Sequence, residues 1–407
     1  MSSAERLSKT PADTTLKNEF EKSYETLADW CRARRYAGHD PFDALNSRLF
    51  QSTPLKHSRA ARLIWTQLFK RSPVNLRPLV QVRAERNSKG LALFALAALS
   101  RFRLEPTREA EMDARRLLED LLAMRLEGWS GAAWGYNFDW QGRAFFAPKG
   151  TPAIVPTAFA ARALVEASLA LDDESYLATA RSACDFILRD LHRTEETEAE
   201  VCWSYSPLDR TRVFNASLLA AETLGSVGAL TGEQELLDWS SRGAVYVARR
   251  QRADGSWAYG AAQFQSWSDN FHTAFILTSL SRIIAARAAQ SAELTDSLRR
   301  GYLFWRERFF LANGWPKYYH DRLYPADAHA AGAAIVALME LQEIDDGARS
   351  LAETIARWSI KNLRDPRGFF RYQRRRFYTI RTPYMRWSQG WMLYGLARLL
   401  EGMRDKR

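Results

Sequence analysis

QRADGSWAYGAAQFQSWSDNFHTAFILTSL, residues 251–280, is the stretch on which the fold turns. Asp254-Gly255-Ser256 makes a tight polar turn, in which glycine supplies backbone freedom and the aspartate bonds its own main chain. Trp257 and Tyr259 follow, then a short polar loop. From Asn270 onward the apolar residues Phe271, Phe275, Ile276 and Leu280 recur at helical spacing. Asp269 or Asn270 supplies the cap that such a helix needs. The unit is turn, aromatic anchor, loop, helix.

That unit returns along the chain. Related turns stand at Gly135-Tyr136, Trp203-Ser204-Tyr205, Gly314-Trp315-Pro316-Lys317-Tyr318 and Gly368-Phe369-Phe370-Arg371-Tyr372. After each, a small-residue-rich helical run begins, near Pro156, Asn215, Asp327 and Arg386. An earlier run, 87–99, has the same Ala/Leu character without the Trp-x-Tyr turn. With the helix at Asn270 there are six runs, spaced by roughly 55–70 residues, the period of a repeat architecture.

Between them lies a second sort of helix, charged on one face and bulky-apolar on the other: 60–69, 109–124, 174–191, 235–249, 294–310 and 348–363. The Ala/Leu-rich runs carry few charges on any face, as a helix enclosed on both sides does. Six enclosed and six half-exposed helices predict an all-α protein, an inner ring within an outer one closed as an (α/α)6 toroid of six helical hairpins. The competing arrangement is an open helical solenoid. Short β arms are expected at 201–205 and 369–372. Residues 1–12 read as a disordered tail and 13–407 as one toroid domain. Within it, 14–35 is an N-terminal helix and the ring covers about 40–403.

The 407 residues are 46% apolar, with 14 Trp, enough for a large core. No run of eighteen apolar residues occurs, and the N-terminus lacks an apolar leader segment, so no transmembrane segment and a cytoplasmic location are expected. Cys31, Cys184 and Cys202 have neither the number nor the spacing of a disulfide framework or a zinc site. No phosphate-cradling loop, dinucleotide fingerprint or zinc-protease motif appears, so no cofactor or metal is implied. The net charge of +11 points either to a merely basic surface or to an acidic partner. No nucleic-acid module is recognisable, and none is expected as partner.

Gln251-x-x-x-Gly255-x-Trp257 resembles the QW repeat of squalene–hopene cyclases, and Asp254-Gly255-Ser256-Trp257 resembles prenyltransferase-type repeats. This resemblance to the terpenoid cyclase/prenyltransferase-like group implies an α/α toroid. It does not carry the activity, because the Asp-x-Asp-Asp motif that protonates the substrate in such cyclases is absent, as are the ligands of the zinc prenyltransferases. Over its whole length the chain is similar to toroid proteins encoded in bacterial exopolysaccharide gene clusters. The segments that carry this similarity are YAGHDPFDALN (36–46), DNFHT (269–273) and RWSQGWMLY (386–394). It implies carbohydrate chemistry, by analogy of fold.

In such a toroid the loops entering the inner helices gather at one mouth. There the sequence places Tyr136, Tyr205, Arg210, Arg212, Asn215, Asn270, Arg386 and Trp387 as substrate-binding candidates. Aromatic faces suit the C–H side of a sugar, and amide and charged groups suit its hydroxyls or an acidic substituent. Asp269, Asp327, His272, His329 and Tyr259 are the candidates for catalysis. Each has a bland alternative: the aspartates as helix caps, the histidines as core residues, the aromatics as hairpin anchors. His272 and His329 are read as equivalent positions of adjacent repeats, an acid/base pair of the kind that epimerisation needs. Hydrolysis instead needs Asp269 and Asp327 as two carboxylates. A lyase needs a cation or amide on a uronate carboxylate. The expected partner is an anionic oligosaccharide or polysaccharide, with other polysaccharide-biosynthesis proteins around it. The alternatives are a non-catalytic sugar-binding or assembly component and a terpenoid- or prenyl-binding toroid.

Overall fold

The computed structural model describes residues 11–286 and 291–404. Of the expected tail, residues 1–10 lie outside the described residues, and Pro11 and Ala12 open the first helix. The helices in chain order are α1 (Pro11–Arg32), α2 (Arg48–Gln51), α3 (Arg59–Arg71), α4 (Ser88–Leu104) and α5 (Arg108–Leu122). They continue with α6 (Ile154–Leu171), α7 (Glu174–Arg189), α8 (Phe214–Thr231), α9 (Gln234–Ala248) and α10 (Asn270–Ala285). The last four are α11 (Ala292–Phe309), α12 (Ala328–Glu340), α13 (Ala348–Leu363) and α14 (Trp391–Gly402).

The inner ring is α4, α6, α8, α10, α12 and α14, each packed on the next and α14 back on α4, so the toroid is closed. α5, α7, α9, α11 and α13 cover their inner partners from outside. The sixth outer helix is α1, which packs on α14 through a stripe of Phe20, Leu27 and Cys31. This corrects the assignment of 60–69 to the outer ring and of 14–35 to a separate N-terminal helix. Both segments are amphipathic, but α3 buries only Thr66 and Phe69 and packs on the turns 43–46 and 54–57 and on residues 140–141. It lies over the mouth.

Repeat turns fit the ring through the main chain. The first N–H groups of a helix have no partner within it. Here the N–H of Ile154, Phe214, Asn270 and Ala328 each donates to the carbonyl of the next repeat's turn tyrosine, Tyr205, Tyr259, Tyr318 and Tyr372, at 2.9–3.1 Å. The tryptophans pin the same turns to the outer ring. Trp134 Nε1 donates to Leu121 O and Trp257 Nε1 to Val247 O. Gln251, the first residue of the cyclase-like motif, donates to the carbonyls of Gly255 and Ser297. Gly255 sits at φ +87°, and a Cβ there would lie 2.6 Å from Arg300 O. The motif builds a turn.

Strands are short. β1 (Trp140–Gln141) pairs with β2 (Phe146–Ala147), and β3 (Arg193–Glu196) with β4 (Val201–Trp203), the arm expected at 201–205. The second arm, expected at 369–372, begins four residues later, at Gln373. β5 (Ala326–Asp327), β6 (Gln373–Arg374) and β7 (Thr379–Ile380) form a three-stranded ribbon, while Phe370 N is held by the Gln389 side chain. β5 runs straight into α12 and so fixes Asp327 at the head of that helix.

The end of the ring away from the mouth is closed by charge, contrary to the expectation of nearly uncharged inner helices. Arg162 grips Glu222 with two bonds, and Arg282 grips Glu340. Arg103 bridges Glu401 and Glu166, and Arg398 also holds Glu401. All six inner helices contribute to this belt. Burial alone would raise the Glu340 carboxyl, but Arg282 outweighs it and holds the group down at about 2. One described helix, α6, is long and apolar enough to cross a membrane, and 78% of it is buried inside the ring.

Candidate active site

All inner-helix N-termini face the mouth, and in five of them, α4, α6, α8, α10 and α12, the second helical residue points to the ring axis. These are Lys89, Val155, Asn215, Phe271 and His329, all buried. His329 and Phe271 stack with centroids 4.3 Å apart, and Trp387 meets His329 edge-on at 4.1 Å. One turn deeper, Phe159, Phe275 and Trp391 surround the Lys89 ammonium at 4.3, 4.9 and 5.5 Å from their centroids. Burial, with Arg386 and Arg162 adding repulsion, pushes Lys89 well below the usual lysine range. Burial likewise pushes His329 well down, helped by the cations of Lys89 and Arg386. Neither ring nitrogen of His329 has a hydrogen-bond partner among the described residues.

His272 is placed differently. It is the third helical residue after its cap, whereas His329 is the second after Asp327, and one residue turns a side chain by about 100°. The two histidines are therefore not equivalent, which corrects the sequence expectation. His329 lies on the axis and His272 on the wall of the mouth, where it keeps 22% exposure. Asp269 caps α10 through His272 N at 3.0 Å, and its other oxygen accepts from His272 Nδ1 at 2.7 Å and from Trp267 Nε1 at 3.3 Å. Nε2 is left to face the opening. Tyr259 stacks flat on Trp267, at 4.8 Å and 12°, and its ring also borders His272 at 4.7 Å. Arg143 lies over the rim of this platform, 5.9 Å from the Trp267 ring.

Asp327 is fully buried. Its Oδ1 accepts from Ala330 N at 2.7 Å, and its Oδ2 has no hydrogen-bond partner among the described residues. Burial lifts the carboxyl to about 7, against the pull of the Ala330 N–H and the Lys70 ammonium. Lys70 comes from α3 and sits over the Phe42 ring at 4.2 Å; burial pushes it down to about 8. The site thus gathers an acid partly protonated near neutrality, a histidine ring oriented by a carboxylate, and a deep lysine pushed well below its usual range.

Of the other candidates, Tyr136 and Tyr205 come together through their hydroxyls at 3.1 Å. Arg386 stands 5.1 Å from the Tyr136 ring, on the π-helical turn Met385–Gly390. Arg386 is not available to grip a substrate carboxylate, because Asp40 takes it with two bonds of 2.7 and 2.8 Å. Asn270 turns outward, accepting from Trp305 Nε1 and donating to Lys317 O, and is removed from the binding set. Arg212 is removed as well: it pairs with Glu195 beside Arg250 of the outer surface. Arg210 is exposed on the loop before α8. Asn215 is buried on the axis with Oδ1 unpartnered among the described residues, and Trp387 is buried against Phe42. Sequence reasoning missed Lys89, Lys70 and Asp40. Lys89 carried a signal, since it follows its cap Asn87 by the same two residues that separate His329 from Asp327.

No protein-family model matches the chain, and no curated protein matches it either. Solved structures do. The fold is similar to cellobiose 2-epimerase from Bacillus thermoamylovorans at 12% identity, TM-score 0.65, over 96% of this chain and 98% of that one. It is similar to an unsaturated glucuronyl hydrolase specific for heparin at 14% identity, TM-score 0.61, over 95% and 97%. A D-mannose isomerase aligns at 13% identity, TM-score 0.57, over 77% and 87%. The fold is thus the (α/α)6 toroid that these sugar-processing enzymes share, and its site is this chain's own.

Proposed function

We propose that the protein is an enzyme that moves a proton on a sugar, an epimerase or isomerase acting at the mouth of the toroid. The observation that carries this is the pair Asp269–His272: the carboxylate is spent on orienting the imidazole, and the imidazole is the group left partly open. A sugar lying on the Tyr259–Trp267 platform presents its C–H face to the rings. His272 Nε2 then takes the proton from the carbon next to the carbonyl, and the C–H electrons form an enediolate. The carbonyl oxygen receives the proton of Asp327, kept protonated to about pH 7 by burial. Delivery of the His272 proton to the neighbouring carbon, with the other enediol hydroxyl giving its proton back to Asp327, yields the isomer. The epimer forms when the enediol first turns its opposite face to His272 and the original carbon is reprotonated there, the oxygen's proton returning to Asp327.

Hydrolysis by Asp269 and Asp327 is disfavoured. It needs two carboxylates free to flank a bond. Here both oxygens of Asp269 are bonded, to the His272 main chain and ring and to Trp267, so Asp327 has no free second carboxylate opposite it. A terpenoid ligand is disfavoured by the polar groups on the axis. An acidic sugar remains the favoured substrate, with Arg143 and Lys70 as the cations left near the opening. A cytoplasmic role in polysaccharide biosynthesis belongs to the same proposal. The test is product analysis on a panel of neutral and acidic oligosaccharides. Products of unchanged mass with an altered sugar support the reading. Fragments gaining water, or new ultraviolet-absorbing ends, overturn it in favour of hydrolysis or elimination. Binding without any product makes the protein a sugar-binding component.

A further inference from the structure

The basic charge of the chain is not spread evenly. Residues 44–84 contain eight Lys and Arg and no Asp or Glu, and residues 366–400 contain another eight with no acid. Of these sixteen cations, Arg77, Arg367, Arg371, Arg386 and Arg398 pair with acids that lie outside the two stretches, which leaves the excess charge on the others. The fold brings the two stretches together. Tyr378 OH reaches Arg71 O, and Arg381 N donates to Pro73 O, so the β6–β7 hairpin lies against the end of α3.

This joined face is also apolar. On α3, Ile64 and Leu68 are one turn apart and 69% and 54% exposed; Val74 follows at 59%, and Phe377 at the hairpin tip reaches 85%. The opposite side of α3 is anchored, with Trp65 on Phe50 at 5.1 Å and Trp65 Nε1 on Ala44 O, so the exposed side has no role in holding the lid down. Arg71, Arg376 and Arg381 are exposed among these side chains and make no ion pair among the described residues. An amphipathic face of this composition matches a bilayer interface.

We propose that the face made by α3 and the β6–β7 tip docks on an anionic lipid surface. Ile64, Leu68 and Phe377 enter the headgroup layer while Arg71, Arg376 and Arg381 meet lipid phosphates. A second copy of this chain would bring the same uncompensated charge, and a soluble polyanion would leave the apolar side chains in water. The docked face is the outer side of the lid whose inner side carries Lys70 to Phe42 and Trp387, so docking sets the sugar site beside the lipid.

The test is co-sedimentation of the full-length protein with vesicles of phosphatidylcholine alone or with one-third phosphatidylglycerol. Binding is expected on the anionic vesicles and at least about tenfold weaker on the neutral ones. Arg71→Gln/Arg376→Gln/Arg381→Gln and Ile64→Ser/Leu68→Ser/Phe377→Ser should each lower the partition coefficient at least tenfold with unchanged melting. Phe377→Ser alone, at the most exposed position, serves if a triple variant does not fold, and should lower binding measurably. Equal binding to neutral vesicles overturns the proposal. So does loss with the charge variant but full binding by the apolar one, which marks a soluble polyanion site. A dimer dispersed by the apolar variant, without vesicle binding, also overturns it and assigns the face to self-association.

Discussion

At the scale of single residues, the site rests on one-residue differences in helical phase. Asp269 and Asp327 are both caps, but the histidines that follow them stand at different offsets, His272 on the partly open wall and His329 buried on the axis. Caps and chemistry were legible in the sequence; their orientation was not, because a spacing of two or three from a cap is decided only once the axis of the ring is known. Asn270 and Arg212 show the same limit, since their partners Trp305 and Glu195 are far along the chain or on another element. Asp327 gives a prediction with a definite sign. Its pKa is about 7 in the fold and near 4 when unfolded, so the native state holds the extra proton between these values and stability falls as pH rises through that window. Asp327→Asn keeps the cap acceptor and removes the ionisation. It should melt higher than the parent at pH 8, by a margin worth on the order of 1–4 kcal/mol, and the margin should vanish near pH 4. A margin independent of pH, read in melts across that range, would place the aspartate in a solvated setting.

At the scale of elements, the repeat was the most legible feature, because each inner helix begins with donors that the next turn must satisfy, and the Trp-x-Tyr pattern marks where. The lid was illegible: α3 has an amphipathic stripe like that of an outer helix, and only the competing stripe of α1 settles which of them packs on α14. Gly255 tests the turn. Gly255→Val meets Arg300 O and leaves the positive-φ conformation unsupported, at a cost on the order of 1–3 kcal/mol. The expected outcome is a lower melting temperature with ligand binding retained at low temperature. Normal melting with lost binding would assign the turn to the site.

At the scale of the whole molecule, the ring has a polar mouth and a charge-sealed base. Within the belt, the arginines hold the Glu340 and Glu401 carboxyls below the usual carboxylate range, so the stabilisation from these two is lost in acid. For Glu340 the folded value of about 2 lies below the usual range near 4.3, and its stabilisation is present above that range and lost as pH falls toward 2. Glu340→Gln leaves Arg282 short of its main partner and should cost about 3 kcal/mol at neutral pH. Its melting temperature should also fall less than that of the parent between pH 5 and 2. Parallel acid profiles for the two proteins would remove the belt from the account.

The central claim is that His272, held by Asp269, exchanges a proton with a sugar carbon. Incubation with a reducing oligosaccharide in deuterium oxide, followed by mass spectrometry and proton spectra of the sugar, reads that step directly. The parent protein should wash deuterium onto the carbon beside the carbonyl. His272→Gln should slow this at least about a hundredfold with its melting temperature unchanged. Deuterium incorporation at the parental rate in His272→Gln would contradict the account.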